Sequence, residues 1–306
     1  MKALRQHEAG GALSYEEVKV PRPGPGEVLV KMDAAPINPS DLALLKGAYL
    51  ERSYPFTPGL EGSGMVVAAG KGLFPRLRLG RRVACSPLQG GDGSWAEYLL
   101  TSAMHVAPLP KHISWEQGSM MLVNPMTAMA FMQLAKAGRH RALVNNAAAS
   151  SLGKMLIRLT LRKGMPLINI VRKDEHVTEL KEMGAVHVLN SSSTDFEKDL
   201  AKLAHELNAT LFLDAVGGDH CSILLDAAPK GSTLMAYARL SGDPLTANPH
   251  ALISDEKKMM GFQLGNWLQS KGLLFKLRFI NGVKKHMGDV LASHVSRTYP
   301  PELAGE

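Results

Sequence analysis

The chain has 306 residues, of which 45% are hydrophobic and 21% charged, with a formal net charge of +7. That length exceeds what one hydrophobic core usually serves and predicts two domains, while the composition excludes a disordered or fibrous protein. Two distant cysteines, Cys85 and Cys221, exclude a disulfide framework and a paired-cysteine metal motif. The positive charge points to an anionic ligand, and not to nucleic acid, because Arg76, Arg78, Arg81 and Arg82 cluster without interleaved aromatic residues or a recognisable binding motif.

The opening MKALRQHEAG lacks the charged leader and apolar run of a secretion signal. From residue 1 to about 110 the pattern is one of short alternating strands punctuated by Gly and Pro: MKALRQH, LSYEEVKV, EVLVKMDA, GSGMVVAAG, RRVACS and WAEYLLT. A helical region follows at about 114–136; its most apolar part is interrupted by Asn124-Pro125 and reads as core helices rather than a membrane span. A cytoplasmic protein with no membrane partner is the expectation.

Beyond that region apolar strands alternate with amphipathic helices. The strands are ALVNNA, PLINIV, VHVLN, TLFLDAV and STLMAYA; the helices between them are SLGKMLIRLTLRK, EHVTELKEMG, DFEKDLAKLAHEL and DHCSILLDAA. Such alternation predicts a doubly wound parallel sheet. A further strand at MMGFQL and a long helix near 271–292 complete the reading.

Between ALVNN and the next helix lies AAASSLG, at 147–153, where a phosphate-binding turn belongs in a dinucleotide fold. In the GxGxxG frame its residues are Ala148, Ser150 and Gly153, so only one glycine of three is present. A tight strand-to-helix turn of some other α/β protein would look the same. The next strand ends at Val171 and is followed by Arg172 and Lys173, about where an acid would hold the ribose 2′-hydroxyl of NAD. Basic residues there suit a 2′-phosphate, and Asp174 reads as the cap of the following helix.

The strings INPSDLALLKGAY, PGLEGSG, GSWAEY, VNPMTA, AAASSLG, EMGAVHVLN, LDAVGG and GSTLMAYARLSG follow one another in this order. Together they resemble the zinc-free quinone oxidoreductase and 2-enoyl thioester reductase branch of the medium-chain dehydrogenase/reductase superfamily. The resemblance implies an α/β fold made of a GroES-like β-barrel domain and a Rossmann-like doubly wound parallel sheet domain. The first would take residues 1–118 and about 270–306, shortened at its C-terminal end and so less protected; the second, residues 119–269, would bind NADPH. Substrate would meet the nicotinamide between them.

In zinc-dependent relatives, cysteine and Gly-His-Glu stand where this chain has Asn38 and Gly59-Leu60-Glu61. Neither Asn nor Leu replaces a thiolate or an imidazole, so the resemblance implies no metal. His286 and His294 on the late helix read as surface residues. The resemblance places Asn38 and Tyr49 at the reacting centre, with Tyr49 as proton donor or, alternatively, an aromatic wall; Asn38 and Asp41 could also cap a helix beginning near Ser40. Trp267 would close the apolar end of the substrate pocket, or belong to the core. The cofactor side would comprise Asn124 and Thr127, then Ala148, Ser150, Leu152 and Gly153, then Arg172 and Lys173, and finally Val216, Gly217 and Tyr237.

The activity this implies is hydride delivery from NADPH to a conjugated small-molecule acceptor: a quinone, an enone or a 2-enoyl thioester. A non-catalytic NADPH-binding protein with a structural or regulatory role is the alternative. The resemblance also implies a homodimer paired through the strand at MMGFQLG.

Overall fold

The computed structural model describes residues 1–47 and 53–303. Its contacts divide the chain into two units, Met1–Met126 with Leu277–Glu306 and Thr127–Lys276.

The first unit begins with β1 (Lys2–Gln6) and β2 (Leu13–Glu17), an antiparallel ribbon, followed by β3 (Glu27–Ala34) and α1 (Pro39–Leu45). Next come β4 (Gly62–Ala69), α2 (Leu73–Arg78), β5 (Arg82–Cys85), β6 (Tyr98–Ser102), β7 (Val106–Pro108) and α3 (Trp115–Ser119). Strands β6-β3-β4-β5-β7, in that order, form an antiparallel sheet. Bridges at Ala3–Ala96 and Gln6–Phe56 tie β1 to the segments around the sheet. β-Branched residues suit a pleated, buried surface, and Val28, Val30, Val66 and Val83 form the core with Cys85, Leu99 and Val106. Each such side chain, fully buried, contributes about 1.5–3 kcal/mol before the entropy of ordering it.

The expected helical run at 114–136 is broken in two. Helix α3 is capped by the Ser114 hydroxyl, which accepts the Gln117 N–H at 3.2 Å, and α4 (Asn124–Ala137) starts afresh. Pro125, the second residue of α4, has no N–H to give to a preceding turn, so a helix can begin there but not run through.

In the second unit, β8 (Ala142–Asn145), α5 (Ser151–Lys163), β9 (Leu167–Val171), α6 (Asp174–Glu182), β10 (His187–Asn190) and α7 (Phe196–Glu206) alternate. Then come β11 (Ala209–Asp214), α8 (His220–Ala227), β12 (Thr233–Ala236), α9 (Pro249–Ile253), β13 (Lys258–Gly261), α10 (Leu264–Gln269) and α11 (Leu273–His286). The strands are all parallel, in the order β10-β9-β8-β11-β12-β13. Parallel strands covered on both faces carry apolar runs, and every residue of β8 and β9 is buried. The order reverses between β8 and β11, the switch point beside which such sheets bind ligands at their carboxyl ends.

Helix α11 stops at His286, short of the expected end at 292. Among the described residues β13 pairs with β12 alone, leaving its other edge open.

Candidate functional site

Two sets of the sequence-selected residues are organised, one in each unit. In the first unit Asn38 precedes α1 with extended dihedrals, and its backbone N–H donates to Asp41 Oδ2 at 2.8 Å. Asp41 Oδ1 accepts the Leu60 N–H at 2.8 Å, so the carboxylate links the helix start to the turn before β4. Gly59 in that turn has φ 105°, a conformation natural to glycine. Asn38 Nδ2 donates to Glu61 Oε1 at 3.1 Å, while Glu61 Oε2 accepts the N–H groups of Leu122 and Val123 at 2.7 and 2.9 Å. Asn38, Asp41 and Glu61 are all buried.

Burial raises the Glu61 carboxyl to about 8, with Asp41 adding repulsion, although the two backbone donors and Asn38 pull it down. Asp41 is raised to about 6, again first by burial. Asn38 thus does more than start a helix: its amide donates to Glu61 and also interacts with Asp41, so it is a polar side chain held between two buried carboxyl groups in a low-dielectric setting. Asn124 opens α4 immediately after the two amides that Glu61 holds. Tyr49 lies outside the described residues.

In the second unit the turn after β8 has the features of an anion cradle despite its missing glycines. Ser150 caps α5 by accepting the Gly153 N–H on its hydroxyl at 3.1 Å. The N–H groups of Ser151 and Leu152, in the first turn of α5, have no acceptor among the described residues. A Cβ on Gly153 would stand 2.2 Å from the Ala148 carbonyl oxygen, so this one retained glycine is required by close approach. Ala147 takes φ 50°, a position a glycine would fill without strain, and the Ala148 N–H donates to the Ile170 carbonyl at 3.1 Å. The turn and the end of β9 are therefore tied together.

Arg172 and Lys173 follow β9 and are exposed; Lys173 forms a 3.1 Å ion pair with Glu175, and no acid intervenes after Val171. The cap assignment for Asp174 is corrected: Lys173 is the extended residue before α6. Asp174 begins the helix, and its carboxylate accepts the Asn190 amide at 2.7 Å.

Across the switch point Asn146 Nδ2 donates to Asp214 Oδ1 at 2.5 Å, and Asn146 Oδ1 accepts the Ala215 N–H at 2.7 Å. Asp214 Oδ1 also accepts the N–H groups of Val216 and Gly217 at 2.9 and 3.1 Å, and Oδ2 accepts the Cys221 thiol at 2.8 Å. Val216 and Gly217 are thereby fixed beside the turn of α5. The Tyr237 N–H donates to the Asp214 carbonyl at 2.9 Å, which brings the end of β12 to the same place. Asn146 and Asp214 were not selected from sequence; the available signal was a polar residue just after β8 and another at the end of β11.

Tyr237 packs its ring 5.1 Å from Phe131, its hydroxyl is buried without a hydrogen-bond partner, and burial pushes its acidity well below that of an ordinary phenol. Phe131 continues to Phe262 at 4.8 Å, then to Trp267 at 6.4 Å and Phe275 at 5.7 Å. Trp267 is half-buried in this aromatic row, with the Lys271 ammonium 5.2 Å from its ring centre. Thr127 is buried near the start of α4. His294 is exposed, as expected, but His286 is half-buried.

Residues 24–111 match the alcohol dehydrogenase GroES-like domain and residues 151–277 the zinc-binding dehydrogenase domain. The mitochondrial enoyl-[acyl-carrier-protein] reductase of Xenopus tropicalis is 31% identical over 267 residues, covering 85% of this chain and 75% of that protein. Its counterpart from Arabidopsis thaliana is 31% identical over 251 residues, covering 79% of this chain; the match spans 65% of the Arabidopsis protein's length. A crystal structure from Mesorhizobium loti, described as that of an NADPH:quinone reductase, superposes with a TM-score of 0.87 at 36% identity, covering 97% of this chain and 90% of its own.

Proposed function

Because the chain belongs to the quinone oxidoreductase and enoyl reductase branch of the medium-chain dehydrogenase/reductase superfamily, we propose that it is an NADPH-dependent oxidoreductase that reduces a conjugated acceptor without zinc. The observation that carries this reading is the cradle at 147–153, with unpaired first-turn amides on α5 and two cations at the end of β9. A pyrophosphate would lie on the amides of Ser151 and Leu152 near Ala148, Ser150 and Gly153, and a 2′-phosphate against Arg172 and Lys173. Val216, Gly217, Tyr237, Asn124 and Thr127 would hold the nicotinamide half. NADPH, when bound, supplies the hydride.

On the acceptor side, negative charge collects on the carbonyl oxygen as the conjugated system is reduced. Asn38, held between Glu61 and Asp41, would line the place of that oxygen, and the Tyr49 hydroxyl would offer it a proton. Trp267 supplies apolar wall. The position that would need an imidazole to hold zinc is Leu60, and Asn38 is already engaged with a carboxylate. The names of the relatives divide between enoyl thioester and quinone acceptors, so both classes are proposed substrates. Pairing of two copies through the open edge of β13 is the proposed route to a homodimer.

The test is to measure NADPH binding by fluorescence and NADPH oxidation separately, against simple quinones, enones and 2-enoyl-CoA esters. Binding together with turnover of at least one class supports the reading. Binding with no turnover of any class would establish the non-catalytic alternative, and no binding would sink both.

A further inference from the structure

The arginine cluster at 76–82 lies outside the proposed cofactor and acceptor sites. Between Glu61 and Asp92 the chain has no acidic residue, yet it carries Lys71, Arg76, Arg78, Arg81 and Arg82. The late segment from Lys257 to Gly288 is also acid-free, and its α11 part contributes Arg278, Lys284 and Lys285. Within the first unit these segments meet: Arg78 is within electrostatic reach of Arg81 and of Lys284. Burial first, and a like charge second, hold both Arg78 and Lys284 below their usual basicity.

Among the described residues, none of Lys71, Arg76, Arg78, Arg81 and Lys284 has a carboxylate partner, and Arg78 Nε is shielded from solvent without an acceptor. Arg82 is different. It donates to the carbonyls of Lys111 and Ile113 at 3.1 and 2.8 Å and lies 4.1 Å from the centre of the Trp115 ring, so its charge is already engaged in the fold.

Apolar surface stands beside this charge. Pro75 is buried and seats α2 against β3 and β4, whereas Leu73, Phe74, Leu77 and Leu79 are 70%, 52%, 57% and 53% exposed. Side chains lining a groove are covered by its walls; these project. A patch of large apolar residues kept in water marks a contact surface, and cations around it define the sign of the partner.

We propose that α2 and its flanking turns form a peripheral docking surface for an anionic lipid bilayer. Leu73, Phe74, Leu77 and Leu79 enter the headgroup boundary, and Lys71, Arg76, Arg78, Arg81 and Lys284 meet lipid phosphates. Projecting side chains and charge of one sign suit a broad anionic plane better than a folded partner, which would need to offer a groove. A second copy fits worse, because it would bring the same uncompensated cations against these. The proposal departs from the expectation, from sequence, of no membrane partner; among the described residues no helix is long and apolar enough to cross a membrane. A surface contact requires no such helix.

The experiment is co-flotation of the full chain with vesicles of phosphatidylcholine alone or with about one-third phosphatidylglycerol. The chain should float with the anionic vesicles only, and less so in high salt. An Arg76→Glu, Arg81→Glu variant should lose about 25-fold or more in partitioning, at about fivefold per lost cation. A Leu73→Ser, Leu77→Ser variant should lose about tenfold, while Ile253→Ser, at an exposed apolar site in the other unit, should change nothing. Circular dichroism and unchanged NADPH binding show that each variant is folded. No flotation, or flotation indifferent to both double variants, overturns the proposal. Binding of the parent to poly-glutamate and not to vesicles, abolished by the same variants, overturns it in favour of an acidic polypeptide.

Discussion

Raising the pH from about 5 to about 8.5 should remove stability from the first unit through one carboxyl group, Glu61, and replacing it with glutamine should abolish most of that loss. Burial holds Glu61 at about 8 against an ordinary 4.5. The folded chain therefore keeps a proton that the unfolded chain releases, and stability is fully present below the unfolded value and falls as the pH climbs to the folded one. At about 1.4 kcal/mol per unit, the full difference, which already includes the pull of the Leu122 and Val123 N–H groups and of Asn38, corresponds to at most about 5 kcal/mol. Asp41, raised to about 6, adds a smaller loss of the same sign at lower pH. Glutamine fits the site: its oxygen can accept both backbone donors, and its amide can face Asn38, whose own amide turns to offer an oxygen. Urea titrations followed by tryptophan fluorescence at several pH values, on the parent and Glu61→Gln, measure the effect. Parallel pH dependence in the two proteins would refute it.

Gly153→Ala places a methyl group 2.2 Å from the Ala148 carbonyl oxygen, so thermal unfolding should show a loss of about 1–3 kcal/mol, and titration a weaker grip on NADPH. Arg172→Ala with Lys173→Ala should cost the NADPH over NADH preference about tenfold or more in kcat/KM, with little change for NADH; an unaltered ratio would show that neither cation reads the 2′-phosphate. Tyr49→Phe should lower kcat for a 2-enoyl thioester by about ten- to a thousandfold and leave quinone turnover nearly intact, because the quinone is the easier acceptor. Equal rates for variant and parent on the thioester would reduce Tyr49 to packing.

The parallel sheet was legible because ALVN and LINIV are wholly apolar apart from one Asn each and are separated by the amphipathic α5, which closes on Gly164 with φ 60°. Helix α2 was not, since it has only six residues and Pro75 sits inside it. The phosphate turn was located by its place after a strand, although its letters were poor. The strained position falls on Ala147, one residue before the glycine frame begins, and only coordinates reveal that. Asn146 and Asp214 escaped for a different reason. One stands just after a mostly apolar strand and the other ends one, but their partnership depends on β8 and β11 being neighbours, a matter of sheet order. In the sequence Glu61 stands out only as part of the string PGLEGSG. Its charge, caught between glycines before a buried strand, calls for partners, and those lie at Leu122 and Val123, far along the chain. Asp174 has the residue type of a cap, yet the helix takes it as its first residue.

The central claim is hydride delivery from NADPH to a conjugated acceptor without metal. It is tested most directly by treating the full chain with chelator, supplying NADPH deuterated at the transferable position of the nicotinamide, and analysing the product of an enone or 2-enoyl thioester by mass spectrometry and NMR. One deuterium should appear on the carbon remote from the carbonyl, at an undiminished rate. Product formed without label, or conversion that ceases on chelation and returns with added zinc, would contradict the account.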